Sequence, residues 1–294
     1  MKNFKVVFLL AVMFSTYASA EQDMNLTAEA QYKVEAKKLW ESLTPQHGDI
    51  KLANGVATLH VPEDFYYLNP NDTETVLVRI WGNPPSGVKT LGMLFPEGVK
   101  PFDTNSWGVT VEYEEDGYVS DENANDIDYD DMLFQMQDST EEVSKARVQQ
   151  GYEPIRLVGW AAEPYYDQDA HKLHWAKEIK FGTQDVHTLN YNIRVLGRKG
   201  VLVLNFIAGM DQLYMINSKI DTVLNIAEFN EGSRYSDFDP DMDKVAAYGI
   251  GALIAGKVAA KLGLFATVLL LFKKFWIFLI VVFGGFFKKL FGGK

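Results

Sequence analysis

No acidic residue follows Asp243. All 39 Asp and Glu side chains lie between Glu21 and Asp243, beside 18 Lys and Arg, which gives that stretch a net charge of −21. From Lys244 to Lys294 the only charged side chains are eight lysines, set among runs of Leu, Ile, Val and Phe. Such a chain cannot place both halves in one solvent. An acidic surface needs water, and a long apolar run needs lipid or a covering protein. The expected organisation is an acidic body in water and a basic, apolar tail in or on a membrane.

The ends predict the address. Lys2 and Lys5 precede the apolar stretch Val6 to Phe14, and Ala18-Ser19-Ala20 makes a small-residue cleavage site before Glu21. Residues 1–20 therefore read as a secretory signal, too short in its apolar part to span a bilayer. The body, 21–243, is expected in a bacterial periplasm. It has no cysteine, so its stability must come from its core.

Residues 244–294 read as a membrane-anchor region with one span over about 262–287. Leu262 to Phe287 holds 18 Leu, Ile, Val and Phe residues, which favour insertion by roughly 5–11 kcal/mol, against about 5–7 kcal/mol for Lys273 and Lys274. Lys288 and Lys289 then lie in the cytoplasm, at the inner membrane. Two other arrangements use the same residues: a hairpin turning at Lys273-Lys274, and an interfacial helix over Phe275 to Phe287. A rival span, Ala246 to Phe272, is weakened by Lys257 and Lys261. Ala252, Gly256 and Ala260 recur every four residues, a spacing that lets helices approach in lipid and allows a homo-oligomer.

The body reads as one α+β domain, mainly antiparallel sheet with flanking helices. Thr27 caps a predicted helix with Ala36, Leu39, Trp40 and Leu43 inward. Asn54-Gly55 marks a hairpin within Asp49 to Val61. Strands are predicted at Val76 to Trp81, Thr90 to Phe95, Trp107 to Tyr113, Ile155 to Trp160, His171 to Phe181, Thr188 to Leu196 and Val201 to Ile207. Helices are predicted from Asp128 to Met136, from a Ser139–Glu142 capping box to Gly151, and over Asp211 to Phe229. Asp239 and Pro240 read as the cap and first residue of a further helix, with Asp241 and Asp243 as its acidic first turn.

Motif chemistry is sparse. Asp121, Asn123 and Asn125 imitate the start of a calcium loop, but its Gly position is Asp126 and its Glu position is Met132. No metal site or cofactor is predicted. The chain holds no G-x-S-x-G, phosphate loop or H-E-x-x-H, so an enzyme has no positive signal. If Thr188 to Leu196 and His171 to Phe181 pair, Asn190, Asn192 and Arg194 are expected on one polar face, beside Lys172, His174 and Glu178. With Arg198 in the next turn, that face is the candidate site for a polar ligand or a protein partner. The −21 body disfavours nucleic acid.

The chain carries the stretches Trp81-Gly82-Asn83-Pro84-Pro85, Asp116-Gly117-Tyr118-Val119, Gly159-Trp160-Ala161, Leu189-Asn190-Tyr191-Asn192, Leu196-Gly197-Arg198 and Asp243-Lys244-Val245-Ala246-Ala247-Tyr248-Gly249. In these it resembles an uncharacterised family of bacterial membrane-anchored proteins, classed only as a domain of unknown function. The resemblance runs from about Gly48 into the tail and implies an envelope protein with a C-terminal membrane segment. It implies no reaction. The leading expectation is a membrane-anchored periplasmic sensing or interaction module. An envelope enzyme using the polar sheet face, and a membrane-assembly or transport subunit acting through the tail, are the alternatives.

Overall fold

The structure, a computed structural model, describes residues 34–255 except 53–54, 86, 88–89, 123 and 125–126. The signal segment, Thr27, Asn54, positions 123, 125 and 126 of the calcium-like loop and the tail from residue 256 lie outside the described residues. Among the described residues no helix is long and apolar enough to cross a membrane.

The architecture is α+β, with mainly antiparallel sheet. Helix α1 (34–42) leads into the hairpin β1 (Gly48–Lys51) and β2 (Ala57–Val61). There follow β3 (Phe65–Leu68), α2 (Pro70–Glu74), β4 (Gly92–Pro96), β5 (Gly108–Glu114), α3 (Tyr129–Gln149) and β6 (Ile155–Asp167). The meander β7 (Lys172–Phe181), β8 (Thr188–Leu196) and β9 (Val201–Gly209) comes next, then α4 (Leu213–Ile226), β10 (Ala227–Phe229) and α5 (Gly251–Ala255). Seven strands form one sheet in the order β3-β4-β5-β9-β8-β7-β6, all neighbours antiparallel. A small sheet, β1-β2-β10, lies beside it.

The two faces of the large sheet differ because strand side chains alternate. On one face Val109, Val111, Leu189, Ile193, Leu202, Leu204 and Phe206 form a continuous core with α4 and the small sheet. The other face carries two separate apolar clusters. One, at the β3–β4 end, joins Tyr66, Leu68, Met93 and Phe95 to Val76, Trp40 and Trp81. The second joins Leu157, Leu173 and Trp175 to Met136 of α3 and to Tyr235, Ile250, Leu253 and Ile254. A polar strip of sheet separates them.

Several expectations are corrected. Val76 to Trp81 is not a strand. Asn69 caps α2 by accepting from the Asn71 and Asp72 amides, Pro70 starts it, and the helical turn widens into a π-helix over Thr75–Ile80. The cap outweighs the β-branched composition that suggested a strand. The two short helices after Asp128 are one, α3. Asp128 caps it, and Ser139 bonds the Gln135 carbonyl inside the helix instead of starting a new one. β6 runs past Trp160 to Asp167, through Pro164, which an edge strand with bulges tolerates. The helix after Asp211 ends at Ile226, and the next three residues pair with β2.

The body also extends past Asp243. Val245 bridges Tyr118 in parallel, the Tyr248 hydroxyl donates to Asp116 Oδ2 at 2.6 Å, and Ile250, Leu253 and Ile254 are buried. Residues 244–255, assigned from their charge to the anchor region, thus form a strap packed on the body. Ala252 is buried there, so it is not free to face a second helix; Gly256 and Ala260 lie outside the described residues. Asp239 to Asp243 form a turn, not a helix start. Asp243 has a side chain only 2% exposed and accepts from Arg198 Nε at 2.6 Å.

Candidate ligand cavity on the polar sheet face

The sheet register decides which polar side chains meet. Asn192 pairs with Trp175, Asn190 with Lys177 and Arg194 with Leu173. His174 instead pairs with Ile193, and Glu178 with Leu189. Lys172, His174 and Glu178 therefore project from the opposite face to Asn190, Asn192 and Arg194. The expected single cluster is split by one residue of register, which the alternation in either strand alone does not reveal. His174 lies on the core side, where burial is the largest cause lowering its pKa. Glu178 forms a short hydrogen bond with His187 Nδ1. Arg198 stands apart, bonded to Asp243.

Between the two apolar clusters is a cavity of about 1000 Å³. Its floor is a row of side chains in register across four strands. Thr110 of β5 pairs with Asn205 of β9, Asn205 with Asn192 of β8, and Asn192 with Trp175 of β7. Glu112 and Arg194 flank this row on one side, and Asn190 and Lys177 on the other. Leu77 and Val78 of the π-helical segment wall one end, with Met136 of α3 and Ala252 to Ala255 at the other. A second opening of about 680 Å³ continues past Asn83, Arg147 and Ile207 toward the β7–β8 turn.

The floor is unsatisfied. Among the described residues, five buried side-chain atoms lack a hydrogen-bond partner, and four belong to this cavity: Thr110 Oγ1, Trp175 Nε1, Arg194 Nε and Asn205 Oδ1. Thr110 is 3% exposed and Trp175 1%. Buried polar groups are nearly always paired in native proteins, so four orphans lining one cavity set this floor apart from the rest of the sheet. Asn192, 4% exposed, is held by its Nδ2 donating to the Asn190 carbonyl and Oδ1. The Arg194 guanidinium lies 4.9 Å from the centre of the Trp175 ring, which fixes its plane.

The charges are strained in the same sense. Burial, and then the nearby Arg194, push the Lys177 ammonium down to about 8. Burial raises the Glu112 carboxyl, although Arg194 opposes this. Sequence reasoning found Asn190, Asn192 and Arg194 but missed Thr110, Glu112, Trp175, Lys177 and Asn205. The alternation of Thr110 and Glu112 between Val109, Val111 and Tyr113 was the available signal.

A second polar cluster holds Tyr235, in the segment that leads into the strap. The Tyr166 hydroxyl donates to Asp121 Oδ2 at 2.6 Å, and the Tyr235 hydroxyl lies 3.1 Å from Asp121 Oδ1. His171 approaches the same carboxylate at 3.4 Å. Asp121, the first position of the calcium-like loop, is thus bound by phenols, and among the described residues no group of three or more His, Asp or Glu could hold a metal. The Arg198 hydrogen bond holds the Asp243 carboxyl below the usual carboxylate range despite burial. For Asp121 burial pushes upward, but the hydrogen bonds from Tyr166 and Tyr235 outweigh it and the net shift is downward. A carboxyl depressed by folding stabilises above its unfolded pKa of about 3.9 and loses that contribution as pH falls through the folded value. Hydrogen exchange of residues 235–255 should therefore stay slow down to about pH 4 and accelerate below it, while β8 and β9 remain protected.

Residues 44–284 match the family described as "Protein of unknown function (DUF2167)", which covers most of the chain. The chain belongs to the DUF2167 family. No curated protein sequence matches this DUF2167 chain. Solved structures similar to it include cyanobacterial PsbP (CyanoP) from Synechocystis sp. PCC 6803, at 11% identity and a TM-score of 0.33. That match covers 64% of this chain and 93% of the other. The Saccharomyces cerevisiae Ran-binding protein Mog1p matches at 10% identity and a TM-score of 0.32, covering 64% and 96%. At such scores neither likeness carries a functional argument for this DUF2167 member. The expectation of a family classed only as a domain of unknown function is met.

Proposed function

We propose that this DUF2167 chain is a membrane-anchored envelope module whose body lies in the periplasm and binds a small polar ligand in the cavity over Asn192, Arg194 and Asn205. The observation that carries the reading is the register-matched row of Thr110, Asn205, Asn192 and Trp175, three of which hold unpaired buried polar atoms. A folded protein retains such groups at a cost of about 1–3 kcal/mol each, which a bound ligand offsets. The anchor rests on the basic, apolar tail and the address on the signal-like first twenty residues. Binding here supports a sensing or interaction role, because the strap that closes one end of the cavity runs directly into the tail.

The test couples binding to stability. Thr110→Val removes a buried orphan hydroxyl at constant shape, so the ligand-free protein should gain about 1–2 kcal/mol and melt roughly 2–6 °C higher. Native mass spectrometry of the full chain purified from membranes should find a small molecule on the wild type and none on Thr110→Val combined with Asn205→Leu. A wild type that carries nothing, together with a Thr110→Val variant that melts lower, would sink the reading.

A further inference from the structure

The cavity is polarised, and the polarity runs across the strands. Its cations, Lys177, Arg194 and Arg147, come from β7, β8 and α3. Its acids, Glu74, Glu112 and Glu114, come from α2 and β5. The orphaned atoms follow the same order. The donors Trp175 Nε1–H and Arg194 Nε–H lie on β7 and β8, whereas Asn205 Oδ1 and Thr110 Oγ1, both able to accept, lie on β9 and β5. We propose that the cavity takes a small zwitterion, with its carboxylate or phosphate group held by Lys177, Arg194 and Trp175, and its ammonium held by Glu112, Asn205 and Thr110. This rests on the ligand-binding reading of the same cavity and specifies the chemistry of the ligand.

The dimensions fit. Adjacent strands lie about 4.8 Å apart, so the backbones carrying Glu112 and Arg194, separated by β9, are about 10 Å apart, and those of β5 and β7 about 14 Å. Side chains rising from both ends leave room for charge centres a few ångströms apart, as in an amino acid, a short peptide or phosphoethanolamine. Other charge types fit less well. A simple anion would relieve Lys177 and leave the half-buried Glu112 beside added negative charge, and a simple cation would do the reverse. A neutral ligand would relieve neither. Only a ligand with both charges compensates both ends while meeting the donors on one side and the acceptors on the other.

Two sources offer this chemistry: a dissolved zwitterion, and a phosphoethanolamine headgroup presented by the bilayer. The test is calorimetric titration of the full chain in lipid nanodiscs with O-phosphoethanolamine, alanyl-alanine, inorganic phosphate and ethylamine as separate probes. At least one zwitterion should bind about tenfold or more tightly than phosphate or ethylamine alone. Glu112→Gln and Lys177→Met should each lower that affinity by about tenfold or more. Repeating the titration in discs of phosphatidylglycerol with and without phosphatidylethanolamine separates the sources. A fall in apparent affinity with phosphatidylethanolamine means that the headgroup competes for the site, and no change means that the ligand is dissolved. The proposal is overturned if neither zwitterion outbinds its two halves, a comparison that needs no variant, or if Glu112→Gln leaves affinity unchanged. In that event a small molecule still retained by the wild type and lost on Thr110→Val with Asn205→Leu would keep the cavity as a ligand site of other chemistry. Its absence would remove both readings.

Discussion

Phe206→Ala should lower the stability of the body by about 3–5 kcal/mol and its melting temperature by roughly 6–20 °C, the largest loss expected from a single core truncation. Phe206 is fully buried at the centre of β9, on the face opposite the cavity. Its ring stacks on Trp107 at 6.2 Å between centroids and meets Tyr191 edge-on at 6.0 Å. β9 is the strand on which the β3-β4-β5 and β8-β7-β6 halves of the sheet join, so a void there loosens both halves. The neighbours are large aromatic rings locked by one another and collapse poorly into the space, which places the cost toward the top of the range. Chemical denaturation of the wild type and variant, followed by far-ultraviolet circular dichroism, checks this. A loss below about 1 kcal/mol would mean that the core is not organised around β9.

Gly117→Ala should release the strap and lower stability by about 2–4 kcal/mol. Gly117 has φ +104°, and a Cβ built there would lie 2.5 Å from the Lys244 carbonyl oxygen and 3.1 Å from the Ala246 amide. Both contacts are with backbone, so the strap itself must move. The Tyr118 amide donates to the Lys244 carbonyl, and the Ala246 amide donates to the Tyr118 carbonyl, each at 2.8 Å. Moving the strap breaks both bonds and draws Tyr248 away from Asp116. Ile250, Leu253 and Ile254 follow, and they cover the sheet beside the cavity. The checking measurement is limited proteolysis of the full chain: new cleavage should appear within residues 240–255 of the variant and not in the wild type. Because Ala252 to Ala255 also wall the cavity, the same variant should bind ligand more weakly.

Much of the body is legible in the sequence wherever a local rule acts without competition. Val109, Val111 and Tyr113 alternate and do face one core, and the strands over Thr188 to Leu196 and Val201 onward occur where alternation and the intervening turn put them. Val76 to Trp81 suggests a strand through its β-branched residues, yet the helix is started seven residues earlier by Asn69 and Pro70. A cap acts on everything downstream of it, which a window of residues does not register. Ser139 and Glu142 suggested a helix start, but nothing before Ser139 breaks the helix, so the hydroxyl bonds the turn behind it.

The candidate site was half legible for a different reason. Asn190, Asn192 and Arg194 share a face by period two, a property of one strand. Which residues of β7, β9 and β5 join them depends on pairing register, and a shift of one residue exchanges His174 and Glu178 for Trp175 and Lys177. Register is chosen by the whole core, since it is the burial of Leu189, Tyr191 and Ile193 against α4 and the small sheet that holds β8 in place. Composition misplaced residues 244–255 for a related reason. Their charge and hydropathy match the tail, and only long-range contacts with Tyr118 and Asp116 attach them to the body.

Taken alone, the sequence determines the partition of charge, the α+β class with its strand-rich middle, and the polar face of β8, because each follows from composition or from a period along one segment. The tertiary structure alone decides the polar row across β5, β9, β8 and β7, the opposed charges at its two ends and the strap that closes one end. Those features join residues far apart in sequence, and only the burial of a shared core brings them into register.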